Sequence, residues 1–443
     1  MQPVGKHMVP ARTKWGRPVL LVLVTFVLAI SLAACNSPQQ DTPTKVTFAV
    51  FGDQAEFIAY ESLVTTFMDA HPEILIEMQH TPGQSDYRQR LATAFSSGEP
   101  PDIMLLNYRR FGAFAEQGGL APLGPYLANS DVIEESDFFK ESTDSFYLNE
   151  QLWCIPQNIS SLVVYYNQDL FDAAGVPYPT DDWTWDDFLT AARALTIDSD
   201  GDGRIDQYGA SIEPNLFRLA PFIWQAGGEL VDNLQKPTRL TIDTPEALRA
   251  WEWFVDLQVK EHVVPDAVAE ESENGESRFL NGRLAMYFNS RRGVPTYRTI
   301  TSFTWDITPL PHADQPVSIL HSDGYCLAKA APNKDAAWTF IEFANSVVGQ
   351  TIIAASGRTV PSLISVANSD AFLNPDQPPA SSHIFIDTIP TLKWVPTMTT
   401  WVSIEEIAGQ EVKRAFYGQA SIQEAAATAA TLTQPYFDKA NTP

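Results

Sequence analysis

The chain has 443 residues, 44% hydrophobic and 11% aromatic, with 54 acidic against 29 basic residues and a formal charge of −25. That aromatic content excludes a disordered chain. The acidic balance excludes nucleic acid as a partner, because binding it requires a basic footprint.

The first elements concern export. Lys6, Arg12, Lys14 and Arg17 precede an apolar run centred on Val19 to Ile30, the length of a signal-peptide core and short for a membrane span. Leu32-Ala33-Ala34-Cys35 closes it and resembles the lipobox of bacterial lipoproteins, so residues 1–34 are expected to be removed and Cys35 to carry lipid. A plain secretory signal with an incidental Cys35 is the alternative. Anchoring by two or more acyl chains is stable where one is not. Residues 35–44, rich in Gln, Ser, Pro and Thr, read as a tether. The 409 residues beyond position 34 carry 25 basic and 54 acidic side chains, and are too many for one compact core.

Val46 to Phe51 reads as a strand ending at Gly52, and Tyr60, Leu63, Val64 and Phe67 lie at the spacing of one buried helix face. Ile74 to Met78 is a second strand, Tyr87 to Phe95 a helix and Asp102 to Asn107 a third strand. This alternation predicts a parallel sheet covered by helices. A helix over Arg109 to Gln117 stops at Gly118-Gly119. Leu162 to Asn167 is again a strand, Thr184 caps a helix with Asp187 in its first turn, and Thr244-Pro245-Glu246 opens another. Further helices are predicted near Ala336 to Ser346, Ile404 to Phe416 and Ile422 to Leu432. Cys154 and Cys326 lie in apolar, strand-like surroundings, where a disulfide and two separate buried thiols are both open readings.

Asp198, Asp200, Asp202 and Asp206, with Gly203, copy the first half of a calcium loop, but Gly209 stands at the twelfth position in place of the bidentate glutamate. We read it as a tight acidic turn, and no metal or cofactor is expected. Gly-x-Ser-x-Gly, a phosphate-binding glycine loop and His-Glu-x-x-His are all missing from the sequence. A pair of glycosidase carboxylates would be spatial and invisible at this level.

Four segments together resemble the bacterial extracellular solute-binding proteins of sugar ABC transporters, the family that includes maltose-binding protein. They are Gly98 to Ile103 with Gly119 to Leu123, then Ile155-Pro156 through Tyr165 to Phe171 and Trp183 to Phe188, then Phe279 to Met286, and Asn333 to Trp338 with Phe340 and Phe343. The resemblance implies an α/β, two-lobed periplasmic-binding-protein-like fold with a hinge and an interlobe cleft. Residues 45–155 and 327–388 would form one lobe, and 156–326 and 389–443 the other. Crossing segments would lie near Cys154–Asn158, Asp323–Leu327 and Asp387–Pro396, which would set Cys154 and Cys326 on neighbouring strands and make a disulfide plausible. The implied function is capture of a carbohydrate outside the cytoplasmic membrane by a monomer that delivers it to ABC permease subunits, with no chemistry done on it. The implied ligand contacts are Gly52, Asp53, Gln54, Asn107, Tyr108, Arg109, Arg110, Asn158, Ser160, Trp224, Ser290, Arg291, Arg292, Arg358 and Trp401, the last resembling a sugar-stacking tryptophan. Leu106 stands where maltose-binding protein has a tryptophan, which argues against a maltodextrin. If Arg109-Arg110 and Arg291-Arg292 all face the cleft, an acidic solute such as a uronate, sugar phosphate or glycerol phosphate is the alternative. A polyamine receptor and a surface glycan hydrolase complete the field.

Overall fold

The computed structural model describes residues 42–442, with Met8, Pro10 and Ala11. Apart from those three positions, the predicted signal peptide, Cys35 and the tether up to residue 41 lie outside the described residues. Among the described residues no helix is long and apolar enough to cross a membrane.

Strand β1 (Thr44–Phe51) and helix α1 (Gln54–Ala70) are joined by a two-residue turn in which Asp53 caps the helix. Its carboxylate accepts from the Ala55 and Glu56 amides, while Glu56 reaches back to the Asp53 amide. Tyr60, Leu63, Val64 and Phe67 form the buried face of α1, as their spacing predicts. Strand β2 (Ile74–Thr81), helix α2 (Gln84–Ser97), strand β3 (Ile103–Asn107), helix α3 (Tyr108–Glu116), strand β4 (Leu120–Ala121) and strand β5 (Cys154–Pro156) complete the first pass. The chain then builds strand β6 (Leu162–Asn167), helix α4 (Trp185–Ala194), strand β7 (Tyr208–Ser211), helix α5 (Leu216–Gln225) and helix α6 (Pro245–Val259). Strands β8 (Leu284–Ser290), β9 (Trp305–Thr308) and β10 (Ser318–Ile319) follow. It returns through strand β11 (Asp323–Ala328) to helices α7 (Lys334–Ala344) and α8 (Val347–Ala354), and ends with strand β12 (Leu392–Lys393), helix α9 (Trp401–Phe416) and helix α10 (Ile422–Asn441).

Two sheets result. The first runs β2-β1-β3-β11-β4, with β5 also paired to β11, and the second runs β9-β6-β8-β7. The predicted parallel arrangement holds for β1, β2 and β3 and again between β7 and β8, but not throughout either sheet. The returning β11 is antiparallel to β3, and β6 is antiparallel to both β8 and β9. The reason is connectivity: strands that arrive from the other sheet need no right-handed crossover and can enter in either direction. The chain crosses between the sheets after Pro156 and before Asp323, and the parallel β10–β12 ladder lies between them. Helices α9 and α10 pack on α5 and α6 beside the second sheet. At the root of the crossing, Cys154 and Cys326 lie opposite each other in register and are disulfide-bonded, with Cα atoms 4.4 Å apart.

Candidate functional site

A concavity of about 710 Å³ opens where the two sheets and α9 meet. Its floor comes from strand ends. Asn107 closes β3, caps α3 by accepting from the Arg109 amide (3.3 Å), and donates to Asp323 (3.1 Å) at the start of β11. The Asp323 amide donates in turn to the Asn158 side chain at 3.2 Å. Ser160 and His321 exchange backbone hydrogen bonds of 2.8 and 2.9 Å on the neighbouring crossing. Burial pushes the Asp323 carboxyl up, against the Asn107 hydrogen bond and the Arg292 charge. Burial also holds the His321 imidazole well below its ordinary value, reinforced by Arg218 and Arg109, and its buried Nδ1 has no partner.

Arg109 spans the cleft. Its Nε donates to Asn107 (3.0 Å), its guanidinium pairs with Glu405 of α9 (2.6 Å), and it lies 4.0 Å above the Phe217 ring of α5. At the opposite end, Glu56 is pushed up by burial, opposed by Arg358 and Arg292. Arg358 pairs with Asp53 at 2.5 Å and approaches Glu56 at 3.0 Å without hydrogen-bond alignment, while Arg292 stands 3.7 Å from Glu56. Amides, hydroxyls, guanidinium groups and carboxylates converging on one concavity suit a polyhydroxylated solute.

The structure brings together eight of the residues named from sequence: Asn107, Arg109, Arg110, Asn158, Ser160, Ser290, Arg292 and Arg358 all line this cleft. The others stand elsewhere. Gly52 is buried against Glu56, Asp53 acts through Arg358, and Gln54 is exposed on the outer side of the helix start. Tyr108 is fully buried. Trp224 is 2% exposed and packs in α5 with the Lys393 ammonium 5.6 Å above its ring. Arg291 is 1% exposed, lies over Phe372 and Phe385, and donates to the Gly357 carbonyl (2.8 Å). Trp401 offers no face for stacking: it is 0% exposed, and its indole N–H donates to Glu405 (3.1 Å). It supports the Arg109–Glu405 pair from behind. Sequence reading missed Arg88, Phe217, Arg218, Asp323, Glu405 and Lys413 as cleft residues. Arg218 carried a usable signal, being the one charged residue in the apolar helix Leu216–Gln225.

The acidic loop is a self-contained turn. Oxygens of Asp198, Asp200 and Asp206 lie within 4.8 Å of one another. Asp198 accepts from the Gly201 and Gly203 amides (2.8 and 2.9 Å), and Asp206 from the Ser199 amide and hydroxyl. Those Ser199 hydrogen bonds draw the Asp206 carboxyl down. Asp202 stands outside the cluster and accepts from the Arg204 amide. A Cβ on Gly209 would lie 2.0 Å from the Ala192 carbonyl oxygen, so no glutamate fits the twelfth position.

The bacterial extracellular solute-binding protein family model matches residues 52–351. The chain belongs to this family. A putative binding protein of Brucella abortus is 21% identical over 378 residues, covering 84% of this chain and 88% of its own length. The diacetylchitobiose-binding protein of Streptomyces coelicolor is 22% identical over 404 residues, covering 85% and 88%. Among solved structures, an ABC substrate-binding protein from Listeria monocytogenes in complex with cycloalternan superposes with a TM-score of 0.80 at 24% identity, covering 90% of this chain and 99% of that one. The two-lobed binding-protein fold is therefore common to them, and the chain is a solute-binding protein, not a glycan hydrolase.

Proposed function

We propose that this protein captures a carbohydrate outside the cytoplasmic membrane and presents it to the permease subunits of an ABC importer. The observation that carries the reading is one polar cleft bordered by residues of both sheets, in a chain of the solute-binding family. The relatives add the ligand class, since one is named for diacetylchitobiose and another was solved with cycloalternan. A solute touching both walls interacts fully only when they close on it, so binding shifts the population toward the closed form that a permease recognises. Residues 45–155 with 327–388, and 156–326 with 389–443, are the proposed moving bodies. The lipid on Cys35 and the tether to residue 43 hold a monomer near the membrane. Changing Cys35→Ala moves the chain from the membrane fraction to the soluble one, and retention in the membrane would refute the anchor.

The ligand test is thermal denaturation of the full chain against neutral mono- and oligosaccharides. A ligand that binds only the folded protein stabilises it by mass action, about 2.7 kcal/mol at a concentration 100 times Kd. One sugar class raises the midpoint on this reading, and no shift with any sugar, neutral or charged, would overturn it.

A further inference from the structure

The charge in the cleft runs against the charge of the protein. Beyond residue 34 acidic side chains outnumber basic ones by 54 to 25, yet seven of those 25 basic residues line this one concavity, against six acids. Four of the seven are already engaged. Arg109 holds Glu405, Arg358 holds Asp53, Arg292 stands by Glu56, and Arg218 lies 3.6 Å from Glu213. The other three, Arg88 of α2, Arg110 of α3 and Lys413 of α9, make no ion pair or side-chain hydrogen bond among the described residues.

Arg88 and Arg110 are half-buried, where an unpaired guanidinium loses hydration without a compensating partner. Burial, then the charges of Arg88 and Arg109, bring Arg110 down to about 10, and Glu405 and Glu406 offset this only in part. Glu406 is exposed and hydrated, and Glu270, the remaining unpaired acid besides Asp323, accepts from the Gly275 amide. Two aromatic rings of the cleft are also occupied. Arg109 covers Phe217 at 4.0 Å and Arg292 lies over Phe51 at 5.5 Å, so two rings that could stack on a neutral sugar already carry cations.

We infer that the solute is a carbohydrate bearing a carboxylate or phosphate group, and that Arg88, Arg110 and Lys413 receive this group while the Asn107–Asn158 side of the cleft receives its hydroxyls. The inference rests on the solute-receptor reading above. Planar guanidinium groups contact either anion in bidentate fashion, and a cation from α9 opposite two from the first wall makes closure depend on the charge. This class does not need the aromatic stacking platform that Trp401 and Trp224 fail to supply.

The test is calorimetric titration of the full chain with two matched pairs: digalacturonate against its methyl ester, and glucose 1-phosphate against glucose. One charged member should bind at least tenfold tighter than its neutral partner, and which pair does so separates carboxylate from phosphate. Arg110→Gln, with Arg88→Gln as a second variant, should remove most of that preference without lowering the thermal midpoint of the free protein. Equal binding of charged and neutral members, or a preference unmoved in both variants, overturns the inference and leaves the receptor reading standing. Failure of every sugar, charged or neutral, overturns both.

Discussion

Two pairs of adjacent arginines follow strand ends on opposite sheets, and they meet different fates. Arg109 and Arg110 open a nine-residue helix after β3, and both line the cleft. Arg291 and Arg292 form a single tight turn after β8, where one step of the chain reverses the side-chain direction. Arg292 faces the cleft, whereas Arg291 is buried between Phe372 and Phe385. Burial brings Arg291 down to about 9, and it spends its hydrogen bonds on Gly357 and Ser382. The same dipeptide thus supplies two cleft-facing charges in one place, and one cleft-facing charge with a structural strut in the other. What separates them is the backbone geometry of the turn, together with the apolar slot opposite.

Replacing the strut should have the largest effect. Arg291→Ala leaves a cavity and strands buried acceptors, so we expect a loss of about 2–4 kcal/mol in urea unfolding with little change in ligand affinity. Arg109→Ala should reverse the balance. It leaves Glu405 without its cation, at about 1–2 kcal/mol for a group only partly exposed, and weakens ligand binding. Greater loss of affinity in Arg291→Ala than in Arg109→Ala would erase the distinction between the two regions.

The smallest effect concerns His321, which faces Arg218 and Arg109 across the cleft floor. Its folded value lies below the ordinary histidine value, so the unfolded chain takes up a proton first. Its contribution to stability is complete above about pH 6.5 and is lost as pH falls, at no more than about 1.4 kcal/mol per pH unit. His321→Gln should flatten unfolding free energy over that range. An unchanged pH profile would mean the imidazole is free to charge in the fold.

Local signals in the sequence located most helices because their determinants lie within a few residues. Thr184 and Asp187 form their capping box, and Thr244 caps with Pro245 in the first turn. The second sheet was not legible as mixed, since β8 finds its antiparallel partner β6 more than a hundred residues earlier. The last helix also passes through Pro435 and runs to Asn441, well beyond Leu432, because packing on α9 sustains it. Site residues divided along the same line. Asn107 and Asn158 could be placed because strand ends face the cleft. Trp224 and Trp401 could not, because residue type does not say whether an aromatic ring looks outward or into the core.

The disulfide has a topological consequence. Cys154 and Cys326 are separated by 172 positions, and all four strands of the second sheet lie between them. The bond therefore ties that span into a covalent ring with a neck 4.4 Å wide at the Cα atoms. A protease nick within the ring leaves the two fragments joined until a reductant is added, so a cut molecule keeps its covalent integrity in any oxidising compartment.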